Sequence, residues 1–289
     1  MHRVSLPHSL FAALILIMTA AVAKAEPAMW VIRDADSTIY LVGTMHLLKH
    51  DGEWSADKMK KSLHEARELW LEIADFDDQT AVAPLVATLG IDPQHPLSTK
   101  LNDEQRKKLE RVTATYNIPA ATLESLRPWL AAVVLSEATI LKAGYDPKSG
   151  VERILATQAK AEGHKILGFE TAEQQMHLLA DLSDEEQVAF LDSTLDDLEK
   201  GVELLDQLTK AWIDGDTETI ARISNDEIKK SPAVYEKLLV RRNIAWAQKI
   251  EQILKGSGVQ EIAVGAAHLA GPDSLQVQLA KRGIKAEKY

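Results

Sequence analysis

The sequence predicts an α/β protein in which a central mixed sheet is surrounded by helices and interrupted by a large helical insertion. Short apolar segments, typical of buried strands, occur near the start, in the middle and at the end of the chain. Two long stretches with helical character separate them, at about residues 80–160 and 183–255. This order is typical of one sheet with helices packed around it.

The predicted elements follow in chain order. Strands are expected at residues 30–33, 38–42, 69–73, 165–169, 261–264 and 284–287. Helices are expected at residues 55–67, 80–89, 102–116, 120–143, 150–162, from 171, within 183–223, 232–254 and 272–282. Two helix starts resemble capping boxes, Asn102 with Gln105 and Thr171 with Gln174. Pro128 is expected as an internal irregularity of its helix.

The first 25 residues have the layout of a secretory signal peptide. Arg3 precedes an apolar run at residues 10–22, and Ala-Lys-Ala at 23–25 is a small-x-small cleavage sequence. The run is shorter than the roughly 20 residues that span a bilayer. We therefore expect cleavage before Glu26, no stable membrane anchor afterwards, and a periplasmic or secreted protein in which residues 26–289 form a single domain.

Charge and cysteine content exclude several classes of function. The formal net charge is −10, which argues against nucleic acid or an anionic membrane as a partner. The chain has no cysteine, so disulfides, Cys-ligated zinc and thiol catalysis are excluded. A metal ion would need nitrogen and oxygen ligands from His, Asp or Glu.

Two similar turns follow apolar strands near opposite ends of the chain. Each is Gly-x-x-His followed by Leu, at Gly43 to His46 and at Gly265 to His268. Glycine permits a sharp turn, and the His then lies just beyond the carboxyl edge of the sheet, where open α/β sheets bind ligands. Two such turns would aim two imidazoles into one crevice, as metal ligands or as acid and base. Alternatively, each Gly serves a tight turn and each His caps a helix.

Two acids occupy similar strand-end positions. Glu72 lies inside Leu-Trp-Leu-Glu-Ile, and strand alternation places it on the same face as Trp70. A carboxylate there needs compensation from a metal or from Arg242, unless the strand lies at an edge with one wet face. Glu170 follows the apolar strand at 165–169, and its alternative role is to stabilise a helix N-terminus.

A basic pair with a polar neighbour lies on the predicted helix 232–254. Arg242 and Asn243 are close to Trp246, and Arg242 is suited to hold a carboxylate or an oxyanion. Because Arg241 and Arg242 are adjacent on a helix, at most one of them is expected to face the site. The alternative is a solvated helix face.

The order of these motifs over nearly the whole chain is informative. In chain order the motifs are Tyr40-Leu-Val-Gly-Thr-Met-His46, Leu71-Glu72, Arg127-Pro128-Trp129, Gly168-Phe-Glu-Thr171 with Glu173-Gln174, Arg242-Asn243 with Trp246, and Val264-Gly-Ala-Ala-His268. This order resembles the TraB/GumN family. The family includes Tiki-type membrane-associated metalloproteases that cleave Wnt and bacterial proteins linked to pheromone shutdown.

The resemblance implies a fold similar to haem-binding ChaN and to erythromycin esterases. It also implies that His46 and His268 are the paired site histidines, with Glu72, Glu170, Arg242 and Asn243 around them. Unlike Tiki proteins, this chain has no cysteine and no C-terminal membrane segment. The substrate does not carry over from the family.

The leading hypothesis is an exported metal-dependent hydrolase that acts on a peptide or protein. Mn, Co or Zn held by His46, His268 and a carboxylate such as Glu72 would lower the pKa of a bound water, and the other glutamate would be the base. Arg242 would stabilise the oxyanion, while the sequence leaves open which glutamate is ligand and which is base. The alternative is a non-catalytic protein that binds haem, metal or peptide, as a pheromone-shutdown protein would.

Overall fold

The computed structural model describes residues 26–49, 54–75, 78–200, 202–229 and 231–289. The strands are β1 Met29–Arg33, β2 Ser37–Thr44, β3 Leu48–Lys49, β4 Glu68–Ile73, β5 Tyr145–Asp146, β6 Lys165–Glu170, β7 Gly258–Gly265 and β8 Glu287–Lys288. The helices up to β6 are α1 Asp57–Glu65, α2 Gln79–Gly90, α3 Leu97–Lys100, α4 Asp103–Thr115, α5 Pro128–Lys142 and α6 Val151–Glu162. After β6 they are α7 Ala172–Ala180, α8 Asp184–Glu199, α9 Glu203–Ile213, α10 Thr217–Ile220, α11 Asp226–Ile228, α12 Pro232–Tyr235, α13 Arg241–Leu254 and α14 Leu275–Ala280.

Six strands form one mixed sheet in the order β6-β4-β7-β2-β1-β8. β6, β4, β7 and β2 are parallel, whereas β1 and β8 are antiparallel to their neighbours. β3 and β5 form a separate two-stranded ribbon. The mixed sheet with surrounding helices confirms the predicted fold class. Most helices lie between β4 and β6 and between β6 and β7.

Each face of the sheet is covered by its own helices. On one face, α1 and α6 pack on Leu71 and Ala263. On the other face, α13 and α14 pack on Trp70 and Ile262. A third apolar cluster joins α4, α5 and α8 away from the sheet. The centres of β4, β7 and β2 are therefore buried on both sides, as expected for a parallel sheet, whereas the edge strand β6 is only half-buried.

Several differences from the predicted elements have identifiable reasons. The helix predicted at 120–143 begins only at Pro128, because a proline has no N–H and its ring favours the first helical position over an internal one. The final strand is Glu287–Lys288 instead of 284–287, since only these residues pair with β1. The helix predicted at 232–254 contains a π-helical turn, Glu236–Val240, directly before Arg241. Both predicted capping boxes are present.

None of the helices in the described ranges is both long and apolar enough to span a membrane. The predicted signal peptide, residues 1–25, lies outside the described residues.

One carboxyl group in the middle of the sheet has no counter-charge among the described residues. Glu261 of β7 is fully buried between Tyr40 of β2 and Leu69 of β4. Ser62 of α1 donates a hydrogen bond to its Oε2, while Oε1 has no hydrogen-bond partner among the described residues. Burial raises the pKa of Glu261 to about 8, so this side chain is protonated at neutral pH.

We predict that Glu261→Gln makes the protein more stable at alkaline pH. Between the ordinary pKa of 4.5 and the folded value of about 8, the folded state binds a proton that the unfolded state has lost. Wild-type stability therefore falls as pH rises through this window, by roughly 1.4 kcal/mol for each pH unit. The melting temperature of Glu261→Gln should exceed that of wild type at pH 8 but not at pH 4.5. Glu104→Gln, on the exposed side of α4, is the control and should follow wild type.

Candidate functional site

The carboxyl ends of the four parallel strands bring the predicted site residues to one edge of the sheet. β2 leads into His46, β4 carries Glu72 near its end, β6 ends at Glu170, and β7 leads into His268. Parallel strands place these ends side by side, and this edge is where open α/β sheets bind ligands.

The two Gly-x-x-His turns lie next to each other. β2 and β7 are adjacent and parallel, with Thr44 opposite Gly265. A Cβ atom at Gly265 would lie 3.9 Å from His46 Nε2 and 3.8 Å from His268 Cδ2, so these two ring atoms are less than 8 Å apart. The structure therefore brings both histidine rings to the same edge of the sheet, within the distance that the repeated turn predicts. Gly43 is also in close contact, because a Cβ there would lie 3.4 Å from Ala266 Cα.

Arg242 is the centre of the polar network at this edge. Its Nε and one terminal nitrogen donate to both oxygens of Glu170, and that terminal nitrogen also donates to Glu72 Oε2. The other terminal nitrogen contacts His268 Nε2 at 3.0 Å and donates to Leu238 O at 3.1 Å. The five N–H donors of the guanidinium thus face five acceptors. Its side chain is 10% exposed.

Glu72 is held as a carboxylate between several partners. The Gly265 amide donates to Oε1 at 2.8 Å, and Gln175 donates to Oε2 at 3.1 Å. Burial alone would raise the pKa of Glu72, but the charges of Arg242 and His46 and the hydrogen bond from Gly265 outweigh burial and lower the pKa to about 2. Of the two cations that the sequence suggested for the buried charge of Glu72, a metal ion or Arg242, the structure places Arg242 beside it.

His268 is a neutral imidazole with both nitrogens engaged. Its Nδ1 lies 2.7 Å from Asn243 Oδ1, and the Asn243 amide donates to Asp273 O at 2.8 Å. Because Asn243 Oδ1 accepts and Arg242 donates, His268 carries its proton on Nδ1 and accepts at Nε2. Burial lowers the pKa of His268 to about 3, so it stays uncharged over the physiological range. Its ring also packs against Trp246, with the centroids 4.4 Å apart.

His46 has a carboxylate partner of its own. His46 Nδ1 lies 2.7 Å from Glu152 Oε1, at the start of α6, and Thr44 donates to the same oxygen. The negative charge of Glu152 raises the pKa of His46 to about 9. Gly150 allows this close packing, because a Cβ there would lie 2.3 Å from the His46 carbonyl oxygen. The imidazole is 65% exposed.

A cleft of about 500 Å³ opens in front of His46 and Glu72. Its polar lining includes these two residues, Glu152 and Gln175, and its apolar lining includes Leu71, Ile73, Val133, Ile140 and Phe190. Concave, mostly apolar sites with a few convergent polar groups are typical of small-molecule and substrate binding. Arg242, Glu170 and His268 are not among the lining residues and lie behind Glu72.

Comparison with known proteins gives the family. The model of the TraB/PrgY/gumN family matches residues 28–288. The chain belongs to this family. It is similar to the uncharacterized protein YbaP of Escherichia coli (strain K12), with 27% identity over 88% of this chain and 92% of that protein. It is also similar to an uncharacterized protein of Treponema pallidum (strain Nichols), with 22% identity over 92% of this chain and 84% of that protein. No solved structure matches the chain significantly.

The structure of this TraB/PrgY/gumN member brings together every predicted site residue. Arg242 faces the network, whereas Arg241 is 69% exposed, as expected for adjacent positions on a helix. Sequence reasoning missed Glu152, the partner of His46, and Gln175, which links Glu72 to Glu170. An acid in the first turn of a helix is common for electrostatic reasons alone, so no signal marked Glu152 as a site residue.

The residues at this edge do not fit a divalent metal in the observed arrangement. Both oxygens of Glu72 and of Glu170, and both nitrogens of His268, already face hydrogen-bond partners. Within the ranges that the structure describes, no group of three His, Cys, Asp or Glu side chains is placed to hold a metal ion. Metal ligation by His46, His268 and Glu72, expected from the sequence, would require Arg242 to leave its position.

We predict that Glu152→Gln lowers the pKa of His46 from about 9 towards its ordinary 6.5. The amide keeps the shape of the side chain but removes the charge that favours the imidazolium. The midpoint of the His46 ring signals in an NMR pH titration measures this change. Glu162→Gln is the matched control, since Glu162 is at the other end of α6 and pairs with the exposed His64. An unchanged midpoint in Glu152→Gln would contradict the assignment.

Proposed function

We propose that the protein is a hydrolase that cleaves an amide bond bound in the cleft, with a peptide as the expected substrate. The observation that carries this proposal is the convergence of His46 and Glu72 beside Gly265 at the end of an apolar cleft. Glu152 orients His46, and Arg242 orients Glu72, in each case through an ion pair. A base held by a third group beside a substrate-sized cleft is the arrangement that hydrolytic sites require.

His46 is the base in this mechanism. When it is neutral, Nε2 takes the proton of the attacking water, and Glu152 stabilises the imidazolium that forms. The imidazolium then gives this proton to the leaving nitrogen as the C–N bond of the amide breaks. Glu72 is a poor base because its pKa is about 2. It serves as the acceptor that orients the water towards the bond. The rate should therefore rise with pH as His46 loses its resting proton.

Arg242, Glu170, His268 and Asn243 are positioning residues in this proposal. Arg242 has an acceptor for each of its N–H groups, which supports a role in holding Glu72 more than direct contact with an oxyanion. Trp246 supports the same group, because the guanidinium lies 4.6 Å from its ring centroid.

The lining of the cleft indicates which kind of substrate side chain should flank the cleaved bond. Val133, Ile140 and Phe190 from α5 and α8 face Leu71 and Ile73 of β4 across the cleft. Burial of apolar groups gives about 25 cal/mol per Å², so apolar side chains flanking the bond should bind best.

A second candidate is a protein that binds such a peptide without cleaving it. Its support is the charge balance at the edge, where Arg242 neutralises the carboxylates that would otherwise activate water. Haem or metal binding, the other forms of this alternative, have no further observation in their favour.

We predict that His46→Ala reduces turnover at least about a hundredfold, the usual contribution of a positioned base. Glu72→Gln should also reduce turnover, because it removes the charge that orients the water. Glu170→Gln should be milder, because Glu170 does not line the cleft. A library of synthetic peptides, read by mass spectrometry, measures cleavage, and thermal melting checks folding. His64→Ala is the matched control, since His64 is also exposed and also paired with a glutamate of α6. Peptides that bind the cleft but are never cleaved by wild type would favour the second candidate.

We also propose that the protein acts in the periplasm or outside the cell. The Ala-Lys-Ala sequence at 23–25 predicts that the mature chain begins at Glu26. Mass spectrometry of the protein recovered from the periplasm or medium measures that terminus. Recovery of an intact chain that begins at Met1 and stays with the membrane would contradict it.

A further inference from the structure

The guanidinium of Arg242 lies where a metal ion would be expected. It is surrounded by Glu72, Glu170 and His268, two carboxylates and one imidazole, which are typical ligands of Zn or Mn. All three residues direct their acceptor atoms at the guanidinium instead. Two of the metal ligands expected from the sequence, Glu72 and His268, therefore contact the arginine, together with Glu170.

The contacts of the guanidinium disfavour its replacement by another cation. Arg242 binds Glu170 in a two-pronged contact, with distances of 2.9 Å from Nε to Oε1 and 2.9 Å from its terminal nitrogen to Oε2. Two-pronged arginine–carboxylate contacts are among the strongest hydrogen-bonded pairs in proteins. Trp246 covers the guanidinium face and donates to Glu170 Oε1 at 3.1 Å. The arginine is thus held from its edge and from its face.

The charges around Arg242 also disfavour a metal ion at this position. Glu72 and Glu170 carry two negative charges, which Arg242 partly neutralises in a region with little exposure to water. A divalent cation added beside the guanidinium would meet a like charge at short range, and each carboxylate oxygen of Glu72 and Glu170 already accepts a hydrogen bond. Without the guanidinium, the two carboxylates would be left close together and uncompensated, which is the condition under which they recruit a cation.

We infer that Arg242 is the resident cation of this site, so that the native protein holds no divalent metal there, and that removal of the guanidinium converts Glu72, Glu170 and His268 into a metal-binding site. The inference deepens the proposed function by assigning the site's positive charge to the chain itself. It also stands apart from that function, because metal content is measured without any substrate.

The experiment compares metal binding by wild type and Arg242→Ala. Both proteins are treated with chelator, incubated with Mn, Co or Zn, passed through a desalting column and analysed by elemental mass spectrometry. We expect no retained metal in wild type and one ion per chain in Arg242→Ala. Arg241→Ala is the matched control, since Arg241 is the adjacent, exposed arginine, and it should behave as wild type does.

Two further variants locate the ion. Arg242→Ala combined with Glu72→Gln should lose the acquired metal, and Arg242→Lys, which keeps a positive charge, should not acquire it. A wild-type protein that retains one ion and releases it on Glu72→Gln or His268→Ala would overturn the inference, whether or not Arg242→Ala folds. A folded Arg242→Ala that binds no more metal than wild type would also overturn it. Failure to find a cleaved peptide would count against the proposed function and leave this result unaffected.

Discussion

The contact between Arg242 and the two strand-end glutamates is the interaction on which the rest of the site depends. Glu72 and Glu170 lie at the carboxyl ends of neighbouring parallel strands, and one terminal nitrogen of Arg242 donates to both carboxylates. Two desolvated negative charges at one edge are unfavourable unless a cation lies between them. Removing one member of such a buried group typically costs about 3–5 kcal/mol, because the remaining charges stay buried. The guanidinium therefore links α13 to β4 and β6.

The helices between the strands also hold the two histidine turns in place. The Trp212 indole of α9 donates to the carbonyl of Gly43 at 2.8 Å. Asn225 donates to the carbonyls of Ala267 and Ala270, at 3.2 and 2.9 Å. Asn225 lies in a π-helical turn, Ala221–Asn225, and a second such turn precedes Arg242. Turns of this kind are frequent at functional sites. The helical insertion thus supplies the groups that satisfy the backbone at the edge of the sheet.

The two histidines of the repeated turn have different environments in spite of their similar sequences. His268 is buried, neutral and enclosed by Asn243, Arg242 and Trp246. His46 is exposed to the cleft and paired with Glu152, which keeps it charged at rest. Only one of the two is therefore available for proton transfer. The turn motif places both rings at the edge of the sheet. The residues that pack on each ring determine its charge and its exposure.

Short-range patterns were enough to predict the main strands of the mixed sheet, both capping boxes and the shared edge of the two histidine turns, whereas Arg242 was selected over Arg241 by the family resemblance. These features follow from backbone preference, strand alternation and turn chemistry, which depend on residues close along the chain. Neither the pairing of Glu152 with His46 nor the protonation of Glu261 was predictable. The sequence around an acid in a first helical turn or in a strand does not show whether that acid is paired, solvated or buried. Arg242 and Glu72 are 170 positions apart, and which cation neutralises the glutamate depends on how α13 packs against the sheet. Electrostatic partners are selected by distance and burial in space, and those are properties of the folded chain.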